Sequence, residues 1–333
     1  MATMLDVARL AGVSIATVSR TLSGRNFVSP EIRQQVLDAV RQLNFQPDQL
    51  AQGLRRGHGN SVALVISDIQ QGVNSALAKH MQAMLAEFNL DLVLYNLGHV
   101  QERLERFIEK SVRMRLCGII FAVTDIIPLQ VFGPLLRQLA DKGIIVIAVG
   151  QRLDEYGIPS VMHEERTATR RSVGYLIDRQ LTPVAFTGRI TGSVLGYERY
   201  QGYLQALEER GIAPDPALIW DRAYRYSAGY EAVARALESG VSFRSMQASS
   251  DEIAQGAIAA VIDRGLRVPQ DIAVIGVGNV DWSAHTRPAL TTIGSQPQEL
   301  ASRVQEIFRL CQEGNQDALV IEVERPFIIR ASA

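Results

Sequence analysis

The residues best suited to chemistry lie close together in Ser14–Arg20, SIATVSR. Ser14 is placed to cap a short helix, and its side chain, like that of Thr17, suits contact with a nucleic-acid backbone. Ile15 and Ala16 open that helix, where they are wasted on solvent but suit contact with thymine methyls in a major groove. Ser19 and Arg20 reach phosphates or base edges, and the Arg20 guanidinium fits a guanine edge and a phosphate equally well. Catalytic patterns are missing from the sequence. There is no P-loop, no dinucleotide-binding glycine run after the first strand, no G-x-S-x-G elbow and no H-E-x-x-H. His58, His80, His99, His163 and His285 are scattered without metal-ligand spacing, so no metal and no cofactor are expected and the chain does not read as an enzyme.

The elements that must position these side chains are short helices. Leu5–Ala11 has a helical pattern with Leu5, Ala8 and Val7 on its inner side, and Gly12 supplies a tight turn. Ile15–Leu22 follows with Val18 inward and Thr17 and Arg20 outward. Two short helices joined by a turn form a helix-turn-helix. After the loop Asn26–Ser29, Ser29 caps a third helix that has Pro30 first and Glu31 in its first turn. It runs to about Leu43 and presents Ile32, Val36, Leu37 and Val40. Residues 1–60 hold seven arginines against four carboxylates and no lysine, net +3; with the chain at −1, residues 61–333 sum to −4. A basic head agrees with a nucleic-acid partner. A three-helix bundle without a ligand is the plainer alternative.

From Ser61 the pattern changes to apolar strands alternating with amphipathic helices, beginning with Ser61–Ser67, SVALVIS. This rhythm indicates α/β architecture with parallel sheets covered on both faces. At 333 residues two or three folding units are expected, and 47% hydrophobic with 21% charged residues excludes a disordered chain. No run of eighteen apolar residues is present and the opening residues lack a signal peptide's pattern, so a cytoplasmic protein without a membrane partner is expected. Cys117 and Cys311 read as buried thiols, with a disulfide left open. Open α/β sheets bind ligands beyond the carboxyl ends of their strands. By that rule Asn74 after the first strand, Thr124 and Asp125 after the third, and Gln151 and Arg152 after the fourth are candidates, with loop caps or crossover contacts as the alternative.

The segments LDVARLAGVSIATVSRTLSG and VSPEIRQQVLDAVRQLNFQPDQLAQGLRRG resemble the head of the LacI/GalR family of bacterial transcriptional regulators, and the resemblance extends over almost the whole chain. It implies a helix-turn-helix domain at 1–46, a hinge and linker at 47–60, and a periplasmic-binding-protein-like sensor at 61–333. Its first lobe would hold 61–160 and 291–316, its second 161–290 and 317–333, with crossovers near 160, 290 and 315–320. It places Ile15, Ala16 and Arg20 among base-reading positions, and Ser14, Thr17, Ser19 and Asn26 among backbone or turn positions. Pro47–Leu54 matches a hinge that becomes helical on cognate DNA, with Leu54 as the minor-groove wedge and Ala51 beside it. Gly53 departs from the better helix formers usual there, at about 1 kcal/mol of helix preference; a flexible linker is the alternative for this stretch.

The same resemblance makes Arg199 an effector-gripping residue, with a surface helix charge as the alternative, and implies a homodimer on a near-palindromic operator. Two departures concern the sensor. Gly278, in GVGN, stands where an aspartate commonly accepts sugar hydroxyls, and Gln71–Asn74 replaces an Asn-Pro-aromatic-aromatic run. Loss of the acid beside a retained Arg199, with Arg152, Arg189 or His163 as neighbours, puts an anionic carbohydrate-like effector ahead of a neutral sugar. The expected function is therefore a DNA-binding repressor under allosteric control. Whether the effector releases or recruits the protein, and whether dimers pair further, stays open at this level.

Overall fold

A computed structural model describes residues 2–23, 28–45, 59–315, 317 and 319–333. The chain divides into two compact units, Met1–Gly59 and Asn60–Ala333. In the first, α1 (Met4–Leu10), α2 (Ile15–Ser23) and α3 (Pro30–Gln42) are each begun by local hydrogen bonding. Thr3 and Asp6 form a reciprocal box on α1: Thr3 Oγ1 accepts from the Asp6 amide at 3.3 Å and Asp6 Oδ2 accepts from the Thr3 amide at 2.8 Å. Ser14 Oγ accepts the Thr17 amide at 3.1 Å and so caps α2, and Ser29 does the same for α3, with Pro30 in its first turn. The three helices close on Val7, Ala8, Val18, Val36, Ala39 and Phe45. Leu5 and Leu37, expected inside, are 43% and 38% exposed. Each lies two residues, about 200° round the axis, from a position that is buried, Val7 and Ala39.

The second unit contains two six-stranded sheets. The first comprises β1 (Ser61–Ile66), β2 (Asp91–Asn96), β3 (Gly118–Ala122), β4 (Ile145–Val149), β5 (Ser160–His163) and β11 (Val320–Val323), in the order β11-β5-β4-β3-β1-β2, all parallel. Alternate residues of β1 feed opposite cores: Val62, Leu64 and Ile66 one, Ala63 and Val65 the other. The second sheet has β6 (Val184–Gly188), β7 (Ile219–Asp221), β8 (Ser245–Ala248), β9 (Ala273–Gly278), β10 (Thr291–Gly294) and β12 (Phe327–Ile328), in the order β12-β10-β9-β8-β6-β7, with β12 antiparallel. Cys117 and Cys311 are free, half-buried thiols packed against the first core.

Strand membership moves the lobe boundaries from those expected. β5 ends in the first sheet at His163, β10 belongs to the second sheet, and β11 returns to the first. The chain therefore crosses at 164, at 295–296 and at 324–326, a few residues later each time than the positions anticipated near 160, 290 and 315–320. The displacement arises because backbone pairing, rather than apolar pattern, decides where a strand leaves its sheet. No helix among the described residues is long and apolar enough to cross a membrane.

In the second lobe α9 (Tyr226–Glu238) and α10 (Asp251–Asp263) approach backbone to backbone through glycines. A Cβ at Gly256 would stand 1.9 Å from the Tyr226 carbonyl oxygen, and one at Gly229 would stand 2.1 Å from that of Ile253. Rigid backbone cannot yield as a side chain does. Gly256→Ala is therefore expected to destabilise the sensor unit by about 3 kcal/mol or more, read from urea unfolding; a loss below about 1 kcal/mol would show that the helices part freely.

Candidate functional site

Two places concentrate functional side chains, one in each unit. On α2, Val18 is fully buried, while Ile15 is 42% exposed and Ala16 and Arg20 are also exposed. Ser14 is exposed at the cap and Thr17 and Ser19 are partly so; the Ser14 and Thr17 hydroxyls lie 2.9 Å apart. The residues expected to meet DNA from this stretch thus share one short, capped helix. An exposed isoleucine at its first position supplies an apolar probe beside serine, threonine and guanidinium groups, the mixture that major-groove reading requires. Asn26, Ala51 and Leu54, with the hinge that contains Gly53, lie outside the described residues.

Between the two sheets of the sensor unit lies a cleft of about 770 Å³, counting space open to solvent. Asn74, Thr124, Arg199 and Gly278 line it, as do His163 and Arg325. Asn74 is oriented by its Nδ2, which donates to the Asp68 carbonyl at 2.8 Å. Thr124 is fixed by its amide, which donates to Ser67 Oγ at 3.0 Å, and by its carbonyl, which accepts the Val194 amide at 2.9 Å from the other lobe.

Three expected residues do not line the cleft. Asp125 is drawn into a contact between the lobes, accepting from Arg189 and lying 2.8 Å from His99 Nδ1. The Gln151 side chain turns back to donate to the Val123 carbonyl and, at 2.9 Å, to that of Asp125, and Gly150 takes its place in the lining. Arg152 is exposed and pairs with Asp154 at 2.9 Å. Position after a strand brings a residue near the cleft, but the nearest strong partner decides where its side chain goes.

Arg199 is only 7% exposed and is already engaged. Its Nε donates to Glu165 Oε2 at 2.7 Å, its Nη2 to Glu165 Oε1 at 3.3 Å and its Nη1 to the Ser249 carbonyl. Arg325, unforeseen in the sequence, shares the same carboxylate: its Nη2 is 2.8 Å from Glu165 Oε1 and 3.1 Å from His163 Nδ1, and its Nη1 donates to the Gly294 carbonyl at 3.2 Å. Burial opposes the charge on Glu165, but the two guanidiniums outweigh it and hold the carboxyl down at about 2. Burial, with Arg325 beside it, also lowers His163, to about 3, so the ring is neutral. Arg325 is lowered by burial to about 10 and stays charged.

Gly278 has φ +140, and a Cβ there would meet Val73 Cγ1 at 3.1 Å and Asp251 Oδ2 at 3.2 Å. The lost aspartate is thus matched by a backbone shaped for glycine, with Asp251 already behind it. Asp251 accepts from Thr292 Oγ1 at 2.6 Å and from the Val280 amide at 3.0 Å, and burial raises its carboxyl to about 6. Among the described residues no group of three or more His, Cys, Asp or Glu is placed to hold a metal ion.

His163 yields a signed prediction. Its folded value of about 3 lies below the ordinary 6.5, with Arg325, Arg199 and Glu165 the charges that face it. Its contribution is complete above the unfolded value and is lost as pH falls toward the folded one. The stability advantage of wild type over His163→Gln should therefore shrink by about 1.4 kcal/mol per unit between about pH 6 and about pH 4.5, measured by chemical unfolding. A constant difference would show that the ring protonates as readily folded as unfolded.

With both sites in place, the chain can be compared with known proteins. Residues 3–48 match the model for bacterial regulatory proteins of the lacI family, and residues 173–333 match a periplasmic binding protein-like domain. Catabolite control protein A from Priestia megaterium is 30% identical over 292 residues, 87% of this chain and 86% of that protein. The HTH-type transcriptional regulator AscG from Escherichia coli K12 is 30% identical over 310 residues, 92% and 90% of the two chains. The fold matches that of the lac repressor dimer bound to operator and the anti-inducer ONPF, with a TM-score of 0.87 at 22% identity, over 99% of this chain and 98% of that one. A transcriptional regulator CelR–cellobiose complex gives 0.73 at 23% identity, over 100% of both chains. The chain belongs to the LacI family of bacterial regulatory proteins and is a DNA-binding transcriptional regulator, not an enzyme.

Proposed function

We propose that this regulator is a homodimeric repressor whose grip on a near-palindromic operator is changed by a small carbohydrate-like effector held in the sensor cleft. The observation that carries the reading is α2, a short helix capped by Ser14 that buries Val18 and leaves Ile15, Ala16 and Arg20 outward. Ile15 and Ala16 contact thymine methyls, Arg20 takes a guanine edge or a phosphate, and Ser14, Thr17 and Ser19 hold the backbone. Asn26 joins the backbone contacts; Leu54 wedges into the minor groove with Ala51 beside it, on the strength of the resemblance. Two heads on one dimer read two half-sites.

The effector half of the reading is supported by the cleft between two sheets, where Asn74, Thr124, Arg199 and Gly278 meet. The related lac repressor was seen with an operator and an anti-inducer, and CelR with cellobiose. A ligand that favours one arrangement of the lobes by a few kcal/mol is enough to alter operator occupancy strongly.

The test begins with selection of the preferred duplex from random DNA by the full-length protein. Ile15→Ser is expected to weaken binding to the selected duplex about 10- to 100-fold, the worth of one good base contact, and to leave binding to unrelated DNA unchanged, both measured by fluorescence anisotropy. Equal losses on the two DNAs would remove α2 as the reading element.

A further inference from the structure

We propose that the cleft recognises a carboxylate on its effector through His163 and Arg325, while Arg199 serves as the scaffold that holds them; this rests on the cleft being the effector site. Arg199 has each of its nitrogens committed, two to Glu165 and one to the Ser249 carbonyl. It keeps no guanidinium nitrogen without a protein acceptor.

Arg325 and His163 differ. Both line the cleft, and Arg325 Nε and His163 Nε2 are buried without a hydrogen-bond partner. Among the described residues, they are the two such side-chain atoms that belong to residues of the lining. The tautomer follows from chemistry: a guanidinium only donates, so at 3.1 Å from Arg325 Nη2 the His163 Nδ1 must accept. The ring proton is then on Nε2. Both orphaned atoms are N–H donors without an acceptor in hydrogen-bonding geometry, although the Ser295 backbone lies close to the ring.

The two buried guanidiniums share the single Glu165 carboxylate as their ion-pair partner. The acidic side chain of the lining, Glu252, has Oε1 occupied by the Gly72 amide at 3.1 Å. Behind the wall, Asp251 accepts from Thr292 and Val280 and favours the charge on both guanidiniums. A sugar hydroxyl offers an acceptor but brings a donor that must also be satisfied. A carboxylate brings two acceptor oxygens, no donor and one negative charge, and so matches two N–H groups, one of them on a guanidinium. A phosphate ester would bring a further oxygen for which these two groups hold no donor.

The experiment is calorimetric titration of the full-length protein with D-gluconate, D-glucuronate and D-galacturonate, beside the neutral parent hexoses and their 6-phosphates. At least one sugar acid should bind more tightly than its neutral parent and its phosphate. His163→Phe should weaken that acid at least about 10-fold, the loss of one charge-assisted hydrogen bond, and His163→Gln, which keeps an N–H, should lose less. Arg325→Gln should lose more than either. Because that variant also disturbs Glu165, the two His163 variants decide the matter if it fails to fold. Equal binding of acid and neutral sugar, preference for the phosphate, or indifference of acid binding to His163→Phe would overturn the carboxylate assignment and leave the cleft as effector site. Failure of every compound, from protein that still binds its selected duplex, would overturn the cleft reading itself, and this inference with it.

Discussion

Glu165 places one carboxylate between two buried guanidiniums, and the sensor's crossovers are gathered around it. A lone buried carboxylate would cost several kcal/mol, so its position depends on Arg199 from α8 (Val194–Glu208) and Arg325 from the last crossover. Arg325 also donates to the Gly294 carbonyl at the second crossover, and its own amide reaches Glu164 Oε1 at 3.3 Å at the first. A single ionic cluster therefore ties together all three passages between the lobes. A ligand that touches Arg325 acts where the angle between the lobes is set, a direct physical route from cleft to lobe geometry.

At the other contacts between lobes the charges are less buried. Asp68 meets Arg225 at 2.8 Å, and Asp125 meets both Arg189 and His99. Partly solvated pairs of this kind contribute about 0–1 kcal/mol each. The arrangement seen here thus rests on a firm ionic floor and several modest clasps, a balance that a ligand's preference for one arrangement can tip. Gly278 and Asp251 shape the same region from behind, since no side chain fits between Val73 and the Asp251 carboxylate without displacement.

Much of this architecture was legible from residue order. Local rules account for the head, because Thr3, Ser14, Ser29, Gly12 and Pro30 each act within a few residues of themselves. The strand β1 announced itself by an unbroken apolar run. β8 did not, because Ser245 and Gln247 are polar; they are buried only because Ser245 Oγ donates to the Leu181 carbonyl at 2.6 Å and Gln247 Oε1 accepts from Ser172 Oγ at 2.6 Å. Asp125, Gln151 and Arg152 were placed near the cleft by strand ends but drawn elsewhere by partners that strand order does not reveal. Arg325 gave no signal within its own segment, since Glu165 and His163 lie far from it in the chain.

The sequence by itself determined the kind of protein, a capped helix-turn-helix and an α/β sensor, while Arg199 and Gly278 were singled out only by the family resemblance. The helix-turn-helix and the α/β pattern follow from short-range hydrogen bonding and apolar periodicity, written into neighbouring residues. Only the tertiary structure decided which side chains the cleft presents. It committed Arg199 to Glu165, brought Arg325 and His163 to the wall, and left two N–H groups there without acceptors. The reason is that hydrogen-bond saturation belongs to a three-dimensional arrangement: whether a donor is free depends on every group packed against it, whatever its distance along the chain.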